Sequence, residues 1–182
     1  MSVHLAVEST PSLPALRLRP WQADDVDALV SAHRDPELRQ WLMGVISSDV
    51  DAQHWIDRQR QGWAAGDRFS FAVVEDGGTG VATALGHVTV KTGKDGSAEV
   101  GYWTAAEARG RGLASRALES VVQWAFSDRA PLSVARLDLL HSVGNRASCR
   151  VAERCGFALQ TILPAQPPAF PTEGHLHVRH KP

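Results

Sequence analysis

The 182-residue chain has two cysteines, one tyrosine and two methionines. Cys149 and Cys155 fall in one expected helix, too close in sequence for a structural staple. They read as reduced thiols, which excludes a disulfide-built secreted scaffold. No apolar run approaches the roughly 18 residues needed to cross a bilayer, so a membrane partner is not expected. The first residues lack the basic-then-apolar pattern of a signal peptide, and a soluble, cytoplasmic protein is the expectation. An excess of one charge is missing too. The net charge is -1, which gives no reason to expect nucleic acid as a partner. Internal repeats are absent.

What remains is an ordinary globular composition, 43% hydrophobic and 21% charged, and a length that suits one domain over residues 1–182 with a sizeable core. Residues 1–14 carry Pro11 and Pro14 without periodicity and read as a loose leader. Residues 16–19 alternate as a short strand ended by Pro20. Residues 23–33 show helical spacing of Val26, Leu29 and Val30, with Asp24 and Asp25 in the first turn and Asp35-Pro36 as breaker. A second helix is expected over 49–65, capped by Ser48 and stopped by Gly66. Trp55 and Trp63 share a side of it, as core packing or as a wall of an acceptor pocket. Strands follow at 69–75, 84–90 and 98–104, joined by the turn sequences 76–80 and 92–96, which predicts an antiparallel meander. Then come a long amphipathic helix at 112–128, a strand at 134–140, a helix at 145–155 ended by Gly156, a strand at 157–161, a proline-rich loop at 163–171 and a last strand at 175–179. The strand–helix–strand unit in the middle predicts a parallel, neighbouring strand pair.

The informative segment is Arg109-Gly110-Arg111-Gly112-Leu113-Ala114, between a strand and a helix. The first turn of a helix carries backbone N–H groups without internal partners, and with the helix dipole they make an anion site. Gly110 and Gly112 remove side chains that would hold a phosphate off, and Ala114 stays small. Arg109 and Arg111 add charge-assisted contacts. A plain basic helix entry accounts for the hexapeptide alone equally well. A P-loop is excluded because no Gly-Lys-Ser/Thr follows. A dinucleotide fold is disfavoured because Gly-x-Gly-x-x-Gly is absent and the strands before it form a meander.

A second constellation, His141 to Ser148 and then Glu153-Arg154-Cys155-Gly156-Phe157, follows the next strand. With it, residues 16–161 resemble the GNAT acetyltransferase superfamily, and within it the RimJ/RimL-type branch of N-terminal acetyltransferase-like proteins. Arg109, Gly112 and Ala114 match the coenzyme pattern Arg/Gln-x-x-Gly-x-Gly/Ala. Asn145, Ser148 and Gly156-Phe157 match the later Asn-x-x-Ser…Gly-Phe pattern, and residues 16–21 resemble the branch's opening Leu-x-Leu-Arg-Pro segment. The resemblance implies an α/β (α+β) fold with a mixed sheet of about six to seven strands and helices on both faces. It implies acetyl-CoA as co-substrate, held in a V-shaped opening between strands 98–104 and 134–140. The backbone of Trp103 and Thr104 would bond the pantetheine arm, and Arg109, Gly110, Arg111, Gly112, Leu113 and Ala114 the pyrophosphate. Asn145 would contact the arm from the second side, although a plain helix N-cap is an equally natural role for it.

Direct acyl transfer to a primary amine, on a protein N-terminus or a small molecule, is the implied reaction. A lysine-like amine has a pKa of about 10.4, so a group must take its proton. Strand alternation puts Glu99, Gly101 and Trp103 on one face, which makes Glu99 the first candidate base; a solvated strand glutamate is the bland alternative. His141 is the second candidate. Many superfamily members have a tyrosine four residues before Gly-Phe, but Ala152 stands there, so Ser148 inherits the role of acid. Tyr102 is set aside because it lies on the other strand. The tail His175-Leu176-His177-Val178-Arg179-His180 puts His175 and His177 on one strand face. No carboxylate or cysteine stands at ligand spacing, so no metal is expected. The proline-rich insert is expected to shape the acceptor pocket or a homodimer contact, and Trp41, Met43 and Trp55 to suit an apolar acceptor. A non-catalytic acyl-CoA-binding module and an α/β domain binding neither ligand are the alternatives.

Overall fold

Apolar alternation reaches further toward the N-terminus than the leader expectation allowed. In the computed structural model, which describes residues 3–42, 44–76 and 83–182, Val3, Leu5 and Val7 point inward while His4 and Ala6 point out. The segment Leu5–Val7 is strand β1, antiparallel to β2 (Ala15–Pro20). Within the leader, Leu5–Val7 is therefore sheet and not loose chain, because its two-residue period buries one side against the core. Arg116 fastens the same segment by donating to the carbonyls of Glu8 and Pro14, each at 2.8 Å.

Strands β3 (Arg68–Asp76), β4 (Ala84–Thr92) and β5 (Ser97–Thr104) form the expected meander. Its second turn is closed by Gly93 N–H bonding Ser97 O at 2.8 Å. The first turn sequence lies largely outside the described residues, as does Met43. Beyond β5 come β6 (Arg136–Ser142), β7 (Ala158–Leu163) and β8 (Gly174–His180). The sheet has eight strands in the order β1-β2-β3-β4-β5-β6-β8-β7, β1 being the one beyond the expected range.

One helical layer holds α1 (Val26–Ala32), α2 (Pro36–Arg39) and α3 (Asp49–Ala65). The expected first helix opens as a 3-10 turn, Ala23–Asp25, ends before Asp35-Pro36 as expected, and Pro36 also starts α2, with Asp35 capping Glu37 and Leu38. Ser48 and Asp51 close a capping box at the start of α3, and Gly66 ends it in the left-handed region. The other layer holds α4 (Leu113–Ala125) and α5 (Arg146–Arg154). Each face has its own core. Phe69, Phe71, Val88, Val100, Leu118 and Val121 meet on the α4 side, while Trp21, Leu29, Ile56, Val74 and Trp103 meet on the α1–α3 side. Trp63 belongs to the first core, edge-on to Phe69 and Phe71, and Trp55 packs on Trp21 and His87. Core packing accounts for both.

Candidate active site

The parallel pair parts halfway. β5 and β6 match only from Ser97–Arg136 to Val100–Leu139. Above that, β5 stays bonded to β4 up to Thr104, and β6 to β8 up to Ser142. A wedge therefore opens between Gly101–Thr104 on one side and Leu140–Ser142 on the other. Ala105 N–H bonds Leu85 O at 2.9 Å. Alternation along an antiparallel ladder then gives the backbone groups of Trp103 to β4 and turns those of Tyr102 and Thr104 into the wedge. This corrects the expectation for Trp103. Thr104 keeps its place, Tyr102 joins it, and Trp103 is instead a buried ring beside Trp21, His33 and His87.

At the open end of β5 the chain turns into α4. Gly110 and Gly112 take φ of +73° and +69°, a region L side chains avoid, while a Cβ at either would meet nothing within 4 Å. Backbone conformation, not space, requires these glycines. Among the described residues, no acceptor bonds the N–H of Gly110, Arg111, Gly112, Leu113, Ala114 or Ser115; the first helical bond is Arg116 N–H to Gly112 O at 3.1 Å. No acidic residue stands in the first turn of α4. Six donors without a partner among the described residues, at a helix dipole's positive end, make a binding place for an anion. Leu113 anchors the turn in the core. It does so through Gly86, where a Cβ would come within 2.9 Å of Trp103 O and 3.0 Å of Leu113 Cδ2. Sequence reasoning missed Gly86, although a glycine inside a strand signals a close approach.

Both arginines of the turn are ion-paired. Arg109 holds Asp35 and, at 2.8 Å, Glu37, so the turn is tied to α2. Burial would raise the Asp35 carboxyl, but Arg109 and the N–H groups of Glu37 and Leu38 hold it below the usual range. Arg111 holds Glu75. Arg111 is bonded through Nη2 alone, so its remaining N–H groups stand beside the amides as donors for an anion.

On the other wall, Asn145 caps α5, its Oδ1 accepting from Ser148 N–H at 3.1 Å. The Tyr102 hydroxyl, set aside on sequence, donates across the wedge to Ser148 O at 3.5 Å, and burial pushes its pKa up to about 12. Trp41 packs its ring on Gly144, 3.5 Å from where a Cβ would sit, and roofs this side. His141 is half-buried, with Nδ1 2.8 Å from Ser142 O. Burial lowers its pKa, the Ser142 carbonyl partly offsetting this. Glu99 stands at the closed end of the wedge, register partner of Asp138, exposed and ion-paired with Lys91 at 2.8 Å. The structure thus gathers Tyr102, Thr104, Asn145, Ser148 and the 109–114 turn around one opening. It puts Glu99 below that opening and His141 at its β6 rim.

A parallel pair that splits, with a row of amides free among the described residues at its mouth, has the shape and polarity to accept an extended, anionic ligand between two strands. The chain belongs to the acetyltransferase (GNAT) domain family, which matches residues 15–158. Over 60 residues it is 38% identical to "Putative ribosomal N-acetyltransferase YdaF" of Bacillus subtilis (strain 168). That match spans 33% of this chain and 31% of the relative, about a third of each. Its fold is that of RimL, named as a ribosomal alpha-N-protein acetyltransferase, with TM-score 0.80, 19% identity and coverage of 99% and 95% of the two chains. It is also that of the microcin self-immunity acetyltransferase MccE, solved with acetyl-CoA and AMP, with TM-score 0.77, 17% identity and coverage of 94% and 97%.

Proposed function

We propose that the protein moves an acetyl group from acetyl-CoA to a primary amine. The observation that carries this is the row of N–H groups from Gly110 to Ser115, unpaired among the described residues, at the open end of the split pair. The coenzyme's pyrophosphate sits on those amides, and its pantetheine arm runs down the wedge as a missing strand. The backbone of Tyr102 and Thr104 bonds one edge of the arm, and the side-chain amide of Asn145 the other. The thioester then lies near the point where β5 and β6 close.

The amine attacks the thioester carbonyl, a C–N bond forms, and the C–S bond breaks. Backbone donors of β5 are placed to stabilise the oxyanion. The amine's proton goes to Glu99, directly or through water, once its ion pair with Lys91 yields. His141 is the second acceptor, since a proton on Nδ1 bonded to Ser142 O leaves Nε2 as a lone pair. Ser148 faces the departing thiolate, and Tyr102, protonated at neutral pH, offers it a further hydrogen bond when its hydroxyl turns from Ser148 O. The acceptor is a protein N-terminus or a small amine; the relatives named for ribosomal proteins support the former. Two free thiols support a cytoplasmic setting.

An acetyl-CoA assay over amine classes, including peptides with free N-termini, tests the reading. Transfer to one class supports it. Coenzyme binding without transfer to any amine marks a non-catalytic acyl-CoA-binding module instead. Glu99→Gln is expected to lower turnover with little change in coenzyme affinity; an unaltered pH–rate profile in that variant removes Glu99 from the reaction.

A further inference from the structure

Along the chain, the histidine tail has no partner at ligand spacing. The fold supplies one from elsewhere in the chain. β8 lies antiparallel to β6, so His175 stands opposite His141, and His177 opposite Leu139. α5 lays Cys149 over the same spot. The ligand atoms of His141, Cys149, His175 and His177 all lie within 4.8 Å of one another. Cys149 Sγ is 3.6 Å from His141 Nε2 and 3.3 Å from His175 Nδ1. A tetrahedral zinc site with Zn–N of about 2.0–2.1 Å and Zn–S of about 2.3 Å puts its nitrogen and sulfur ligands about 3.6 Å apart. The 3.6 Å separation has that spacing, and the 3.3 Å one is slightly shorter.

Hydrogen bonding leaves part of the cluster unexplained. Cys149 can donate its one proton to one histidine and accept only weakly from the other. His177 is 2% exposed, and among the described residues neither of its ring nitrogens reaches a partner at good hydrogen-bond geometry, the Phe157 backbone being the one polar group near it. Burying an imidazole in that way costs free energy that a metal bond removes. His141 Nδ1 is held by the Ser142 carbonyl, the outer contact that fixes a ligating histidine and aims Nε2 inward. Two strands and a helix hold the four groups, so the frame exists before any ion arrives.

We propose that His141, Cys149, His175 and His177 bind one zinc ion. Three imidazoles and a thiolate suit that borderline-soft cation and leave no open position, so the ion is structural and not hydrolytic. Binding releases the Cys149 thiol proton. The ion ties β8 to β6 and to the start of α5, next to Ser148, and so fixes one wall of the wedge. It also occupies His141 Nε2, which removes His141 from proton transfer in the metal-loaded protein and leaves that role to Glu99.

The test uses the full chain, stripped with chelator, kept reduced without added thiol and titrated with cobalt(II). The proposal expects one cobalt per chain, intense tetrahedral d–d bands in the visible, a thiolate-to-cobalt charge-transfer band in the near ultraviolet, and displacement of both by one equivalent of zinc. Cys149→Ser is expected to abolish the charge-transfer band, and His175→Gln to weaken uptake, with circular dichroism unchanged in both. These half-exposed positions are chosen because a His177 variant can fail to fold. Absence of uptake by the folded wild type, cobalt bound without the charge-transfer band, or a band that survives Cys149→Ser overturns the proposal. None of these readouts depends on acetyl transfer.

Discussion

At the residue scale, three positions decide what the wedge can hold. Gly112 adopts a backbone conformation that an alanine enters at a cost of about 1–2 kcal/mol. Nothing crowds the site, so Gly112→Ala acts through the backbone alone. It is expected to lower Tm and to weaken coenzyme binding about tenfold or more, measured by calorimetric titration. Asn145 was legible from sequence as a cap, a coenzyme contact or both, and the structure shows the cap. Asn145→Asp keeps the capping oxygen but loses the amide donors. An unchanged Tm with weakened coenzyme affinity is expected; unchanged affinity assigns Asn145 to capping alone. The Trp103 backbone was misread because which strand receives a residue's polar groups depends on register, and the residue pattern names the strand without fixing its phase.

At the scale of elements, the β5–turn–α4 unit was readable because its chemistry is local: a strand, two glycines and a helix start stand within one stretch of chain. Its support was not, because Gly86 on β4 meets Leu113 only through the fold. Gly86→Ala brings a Cβ to 2.9 Å from Trp103 O, and overpacking of this kind costs about 1–3 kcal/mol. The expected outcome is lower thermal stability together with weaker coenzyme binding, since α4 must back away from the sheet. Strand β1 was lost behind Pro11 and Pro14, though Val3, Leu5 and Val7 carry the alternation. The histidine cluster was unreadable for a different reason. His141, Cys149, His175 and His177 come from β6, α5 and β8, and no spacing rule relates three elements that meet only in the folded chain.

At the scale of the molecule, buried histidines make the fold sensitive to acid. His87 lies buried between the sheet and α3, its Nδ1 accepting from Trp21 Nε1–H at 3.0 Å. Burial pulls its pKa from 6.5 down to about 3, with smaller effects of the Phe71 backbone and nearby cations. His33 on the same side is lowered too, chiefly by burial. Between pH 6.5 and about 3 the unfolded chain therefore binds protons that the folded chain refuses. Stability is full above the unfolded pKa and falls as pH drops through that window, by about 1.4 kcal/mol per pH unit for each such proton. Urea melts at a series of pH values should show this slope, and His87→Gln should flatten it. A stability that stays level down to pH 4 contradicts the buried neutral histidine.

The account stands most of all on the free amides where β5 turns into α4. The direct measurement is an amide ¹H–¹⁵N titration of the reduced full chain with coenzyme A. The account predicts that the largest shifts, and the strongest protection from solvent exchange, fall on residues 110–115, with Tyr102 and Thr104 following. Coenzyme A that binds while those six amides stay unmoved contradicts it.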